Sequence, residues 1–184
     1  MIYFVTPAYL KDNTTVTENV DATDINAIIR VAADTWTRSY LGTYFYNDLL
    51  AKFNSQSLNA NEVILVGDYV KGAVAWRAAT EAVITTTYQM KNKGIQIQSG
   101  DFSAAPETRV IPWVYEKTRD KAEFYDQRLI DYLVANKSLY PEFTSTLNTD
   151  SKVKTQYCGN SCGCGTTNCG CTNINAFQSG ILFI

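Results

Sequence analysis

NEVILVGDYVKGAVAWRAATEAVITTTYQMKN, residues 61–92, is the stretch whose reading decides the fold. It holds no proline, and Leu65, Tyr69, Ala73, Trp76, Thr80, Val83 and Thr87 recur every three to four residues, the period of one helical face. A second line, Val66, Val70, Val74 and Ala78, runs beside the first, so the apolar stripe is wide and calls for neighbours on more than one side. Gly72, Ala73, Ala75, Ala78, Ala79 and Ala82 keep that stripe thin enough for other helices to approach closely. The spacing predicts a helix from Asn61 to Asn92, capped by Asn59 or Asn61 and ended by Gly94. At ~1.5 Å per residue it would run roughly 45–50 Å, longer than a small domain is wide. Part of it is therefore expected to pack against something other than its own chain.

Three more helices surround this one. Asp21 or Thr23 caps a first helix with Ile25, Ile28, Ile29, Ala32, Ala33, Trp36 and Tyr40 on one face, stopped by Gly42. Thr43 opens a shorter one whose inward stripe is Phe45, Leu49, Leu50 and Phe53. Pro112 suits the first turn of another long helix, in which Val114, Tyr115, Thr118, Ala122, Tyr125, Leu129, Tyr132 and Leu133 keep the period until about Leu139. Between the two longest helices, residues 94–110 read as a protruding loop or β-hairpin, because Ile95 and Ile97 alternate with Gln96 and Gln98. The fold expected is mainly α, a bundle of about four helices. Residues 1–20, rich in Thr and Asn, are expected to form an extended arm anchored by Tyr9 and Leu10, and residues 143–184 an extended, cysteine-rich tail, leaving 21–142 as the helical domain.

Composition narrows the function. The formal charge is −2, with no basic cluster that could neutralise a run of phosphates, so nucleic-acid binding is not expected. The start of the chain lacks a basic lead and a sufficient apolar core for a signal peptide, and no stretch of about 18 apolar residues could cross a bilayer, so the reading is a soluble protein made in a cytoplasm. There is no histidine, which removes the commonest general base and every His-containing metal site. Trp36, Trp76 and Trp113 lie on or near apolar faces and read as core. Glu116, Asp120, Glu123 and Asp126 alternate with Lys117, Arg119, Lys121 and Arg128 and read as a solvated helix face, not a catalytic cluster.

Two features remain for partners or ligands. Cys158, Cys162, Cys164, Cys169 and Cys171, spaced C-x3-C-x-C-x4-C-x-C among glycines, could bring thiolates to about 2.3 Å from one zinc ion, the only cofactor considered. Disulfides and free thiols are the competing readings, since five is odd and the paired cysteines stand too close to bridge easily. Ile181, Leu182, Phe183 and Ile184 form a short apolar end suited to a partner's groove or sheet edge. Ile95, Ile97 and Phe102 in the loop are further candidate contacts, Ile95 and Ile97 either adding a strand to a neighbour or pairing within the protomer.

Several separated blocks resemble one family. YLKDNTTVTENVD at 9–21, the run Ala32 to Leu50 with its Tyr40, Leu41, Gly42, Tyr46 and Leu49, NKGIQIQ at 92–98, and RDKAEFYDQRLIDYLVANKSLYPEF at 119–143 are similar to head-tail connector (adaptor or ring) proteins of tailed bacteriophages, of the crAss-like type. That resemblance implies a structural, non-enzymatic virion protein assembled in the host bacterial cytoplasm. It implies a homo-oligomeric ring of twelve copies beneath the portal protein, meeting tail or further ring proteins, with genomic DNA passing through unbound and no membrane involved; the chain's slight negative charge suits a weakly acidic inner wall that repels DNA phosphates. The cysteine-rich tail is not part of the pattern. A small metal-binding or redox module using those cysteines is the alternative function.

Overall fold

The computed structural model describes residues 2–17, 20–91, 94–97 and 110–153, with the backbone alone for 87–91 and 94–97. These residues are mainly helical. Helix α1 is Pro7–Asn13. Helix α2 runs unbroken through Ala22–Ala32, a π-helical stretch Ala33–Thr37, and Arg38–Leu41. Helix α3 is Thr43–Asn54. Helix α4 runs through Ala60–Ile64, a second π stretch Leu65–Val70, and Lys71–Thr87. Strands β1 (Tyr88–Lys91) and β2 (Gly94–Ile97) pair antiparallel, with Tyr88 opposite Ile97 and Met90 opposite Ile95. Helix α5 is Val110–Ala135, and after a 3-10 turn at Lys137–Leu139 comes the single turn α6, Pro141–Thr144.

The expected bundle is there, with α4 at its centre against α2 and α5. Asn59 caps α4 by accepting from the Glu62 amide at 2.9 Å, while Glu62 accepts from the Asn59 amide at 2.8 Å, a capping box that satisfies two amides otherwise left without partners. Both predicted apolar lines are used: Leu65, Val66, Val70, Ala73, Val74 and Ala78 are all buried. The small residues act as the sequence suggests. A Cβ on Gly72 would lie 2.7 Å from Cδ1 of Tyr125, so the approach of α5 to α4 requires glycine there.

Three boundaries differ from the sequence reading, each for a local reason. Helix α4 ends at Thr87, not at Gly94. Thr85 and Thr86 each bond back to a carbonyl of the preceding turn, 3.0 Å to Glu81 and 2.6 Å to Ala82, and this run of β-branched residues hands the chain to β1. The N-terminal arm is not wholly extended. Thr6 accepts from the Tyr9 amide at 3.2 Å, Pro7 takes the first helical position, and Leu10 is fully buried, so a short helix forms where Thr and Asn content suggested extended chain. The third is the tail: residues 143–153 belong to the folded body. Phe143, Asn148, Ser151 and Val153 are buried, and α6 packs on α3.

Asn148 makes that closure. Its Nδ2 donates to the carbonyls of Leu41 at 2.8 Å and Phe143 at 3.0 Å, and its Oδ1 accepts from the Phe45 amide at 3.4 Å. Gly42, at φ +81°, turns the chain between α2 and α3 beside it, and a Cβ there would sit 2.0 Å from Asn148 Oδ1. Asn148→Ala is expected to cost about 1–3 kcal/mol, the penalty for leaving buried carbonyls unpaired. Gly42→Ala should cost as much or more. Because both strike one contact, urea unfolding of Gly42→Ala/Asn148→Ala should show a loss clearly below the sum of the singles; additive losses would disprove this account.

Candidate functional site

Two polar clusters join the helices of the bundle, one buried and one partly exposed. In the first, between α2, α4 and α5, Arg77 Nε donates to Asp126 Oδ2 at 2.7 Å, its terminal nitrogen stands 2.6 Å from the same oxygen, and the Tyr40 hydroxyl donates to it at 3.0 Å. The guanidinium lies over the Trp36 ring at 3.9 Å. Burial pushes the Asp126 carboxyl above its ordinary 3.8, outweighing the downward pull of Arg77 and of the two hydrogen bonds. Burial and the adjacent carboxylate raise the Tyr40 phenol as well. Every strong contact of this cluster runs from helix to helix. It ties three helices together, with Asp126 Oδ1 left buried without a hydrogen-bond partner among the described residues.

In the second cluster, carboxylate oxygens of Asp48, Glu62 and Glu142 all lie within 4.8 Å of one another, a donor set a divalent cation would accept. The Lys52 ammonium already serves them, 2.7 Å from Asp48, 2.8 Å from Glu62 and 3.7 Å from Glu142. Its pKa is raised above 10.5: the hydrogen bonds and charges of Asp48 and Glu62 together outweigh partial desolvation, the largest single effect, which acts the other way. Lysine is the cation of this site, and it joins α3, the start of α4 and α6.

The outer surface offers two grooves. One, about 410 Å³, lies between the π stretch of α4 and the outer part of α5, where Tyr69 and Tyr132 stack at 3.9 Å and Arg128 covers Tyr69 at 5.1 Å. The other, about 330 Å³, is apolar, lined by Val16, Val20, Ala82, Val83 and Val114 near the hairpin end of the bundle. The outward side of α5 carries Phe124, 64 % exposed, at the first groove and Trp113, 60 % exposed, toward the hairpin end.

Two sequence readings need correcting here. Trp113 is not core. It stands on the side of α5 opposite Thr118, Ala122, Leu129 and Leu133, the positions that are buried. Trp36 and Trp76 are half-buried, Trp76 stacked on Tyr125 at 6.2 Å. Asp126 is not on the solvated face with Glu116, Asp120 and Glu123, which are exposed; it is only 4 % exposed and paired with Arg77. Sequence reasoning missed Arg77 and Phe124. Stepping by three and four residues from the core positions of α5 assigns Asp126 to the inner side and Phe124 to the outer, so the signal was present. Of the predicted contact residues, Ile95 and Ile97 lie in β2, on the strand that pairs with β1. Phe102, Ile181, Leu182, Phe183, Ile184 and the candidate metal ligands Cys158, Cys162, Cys164, Cys169 and Cys171 lie outside the described residues.

Arg77→Met should cost about 3–5 kcal/mol near neutral pH, because it leaves the buried Asp126 carboxylate unpaired. The sign with pH follows from the raised carboxyl. A folded-state pKa above the unfolded value means the folded form binds the proton more tightly, so stability is gained as pH falls through the folded pKa and the gain is complete below about 3.8. The deficit of Arg77→Met is therefore expected to shrink on acidification, and Arg77→Met/Asp126→Leu to recover most of it. Denaturant unfolding across pH checks both, and a deficit that stays constant with pH would contradict them.

A family model described as a family of unknown function, DUF6712, matches residues 38–153. Comparison with curated proteins and with solved structures finds no match. The match begins in the last turn of α2 and ends at Val153, the last described residue, which is buried. It spans α3, α4, α5 and both polar clusters except for their contacts to Trp36, and on that span the chain belongs to the DUF6712 family.

Proposed function

We propose that this chain is a structural subunit of a homo-oligomer, not an enzyme, and that its place is the ring at the head–tail junction of a tailed phage. The observation that carries the assembly reading is surface left over by a well-packed protomer. Trp113, Phe124 and Val63 are each more than half exposed on helices that bury their opposite sides, and Leu147, in the turn after α6, is more than half exposed as well. Large apolar side chains on rigid elements favour contact with another protein surface. The ion pairs of both polar clusters join one helix to another, which fits a structural role.

The place of the ring rests on the resemblance of the blocks at 9–21, 32–50, 92–98 and 119–143 to connector proteins. The last of these blocks forms most of α5 together with α6, and so includes Phe124 and the charged outer side of that helix. A ring needs a heterologous contact, in which two different patches of each copy meet. The protomer supports this with distinct ends: α4 starts at the Lys52 cluster, where Val63 and Ile64 are exposed, and finishes at the β-hairpin. The portal protein on one side and tail or further ring proteins on the other are the partners of this reading, with DNA passing through the channel.

Native mass measurement of the full chain under reducing conditions, alone and mixed with a portal ring, tests the proposal. A closed oligomer of about twelve copies that joins the portal is expected. A chain that stays monomeric at every concentration, both alone and with the portal, would sink it.

A further inference from the structure

The outer side of α5 is divided lengthwise by charge. With Thr118, Ala122, Leu129 and Leu133 fixing the inner side, steps of three and four residues place Trp113, Lys117, Asp120 and Phe124 along the crest. On one shoulder of that crest stand Glu116 and Glu123, on the other Lys121 and Arg128, and all four are exposed. Of the crest charges, Lys117 pairs with Asp120 at 3.7 Å, and Asp131, farther along the same line, accepts from Gln127 Nε2 at 2.7 Å. Arg119, lower on the acidic shoulder, is held by Glu123 at 3.3 Å, so that shoulder keeps a net negative charge. Lys121 and Arg128 lie over the rings of Trp76 and Tyr69 and have no carboxylate partner among the described residues.

We infer that α5 is the contact between neighbouring copies of this chain, the acidic shoulder of each copy seated on the basic shoulder of the next; the inference rests on the ring reading above. Symmetry decides the arrangement. A two-fold axis relating antiparallel copies of α5 sets each shoulder against itself, Glu116 and Glu123 facing their own equivalents. A two-fold axis parallel to the helices brings unlike shoulders together but closes crest on crest, Lys117 on Lys117 and Asp120 on Asp120. Rotation by a smaller angle about an axis parallel to α5 engages one shoulder of each helix and leaves the other free for a third copy, which continues the contact around a ring.

The spacing fits parallel neighbours. Glu116 to Glu123 and Lys121 to Arg128 are both steps of seven, about 10 Å along the helix, so one acid–base match brings the other with it when the helices run parallel. Trp113 and Phe124, eleven residues and so about 16 Å apart, supply apolar area at the two ends of that contact.

The test is charge reversal in the full chain, read by sedimentation velocity under reducing conditions. E116K/E123K makes both shoulders basic and K121E/R128E makes both acidic, so each variant alone should need at least about tenfold more protein to assemble. Mixed in equal amounts, the two should assemble together within about threefold of the wild-type requirement, because every contact is again acid on base. The variant carrying all four changes should assemble alone and refuse to mix with wild type. Melting curves separate lost folding from lost contact, and E116K/E123K, which alters no contact with another element among the described residues, keeps the test decisive should K121E/R128E fold poorly. Wild-type rings that both reversals leave unchanged overturn this inference and leave the ring reading standing. A wild-type chain that never assembles overturns the ring reading, and this one with it.

Discussion

The thinness of the inner side of α4 governs the structure. Where α5 crosses it, Gly72 leaves room for the ring of Tyr125, which a single added carbon would meet at 2.7 Å. Tyr125 then stacks on Trp76, one helical turn along α4, and Lys121 caps the Trp76 ring from the same helix as Tyr125, at 4.5 Å. Ala75, Ala78, Ala79 and Ala82 continue the low surface toward the hairpin. Close approach on small residues increases the number of atoms in contact, and dispersion between them accumulates even though each pair is weak. It also leaves little freedom for α5 to rotate, because a ring seated over a glycine has one place to go.

The Arg77–Asp126 pair depends on that seating and reinforces it. Two desolvated charges lose about as much in hydration as they gain in attraction, so the pair adds little stability beyond what two apolar residues would give. Its effect is on alternatives. Any rotation of α5 that withdraws Asp126 from Arg77 and Tyr40 strands a buried charge, and that cost falls on wrong arrangements only. The Lys52 cluster does similar work at the other end, where α3, α4 and α6 meet, and Asn148 closes the chain onto the start of α3. The ion pairs of both clusters thus tie together helices that the apolar faces have already brought close.

The helices were legible in the sequence because their signals are periodic and local: the two apolar lines of α4, the Ile-rich face of α2, the cap at Asn59. The ends were less so. Thr85–Thr87 keep an apolar period on paper, and only the back-bonding of their hydroxyls reveals that the helix is giving way to a strand. Composition misled at both termini, since Thr and Asn enrichment between 5 and 20 concealed Thr6 and Pro7 as a helix start, and the polar run after Phe143 concealed Asn148 as a buried clasp. A polar residue satisfied by distant backbone, over a hundred positions away in the case of Leu41, leaves no trace in local pattern. Asp126 failed for a different reason: its place three and four residues from buried Ala122, Leu129 and Ile130 put it on the inner side, but alternation with neighbouring charges made it look solvated.

The outer side of α5 is a consequence of its inner side. Once Gly72, Tyr125 and Asp126 fix the helix about its axis, the residues three and four steps off the core have no choice of direction, and Trp113 and Phe124 must face outward with the acids on one shoulder and the bases on the other. A net charge of −2 over the whole chain hides this division. Salt acts on the two kinds of charge unequally. The buried Arg77–Asp126 pair lies outside the reach of mobile ions, whereas the exposed shoulders are separated from solvent by nothing and lose their field over a Debye length of about 8–10 Å at physiological strength. On the ring proposal, the interior holds the orientation of α5 constant while the attraction between its shoulders and those of a neighbouring copy rises and falls with ionic strength.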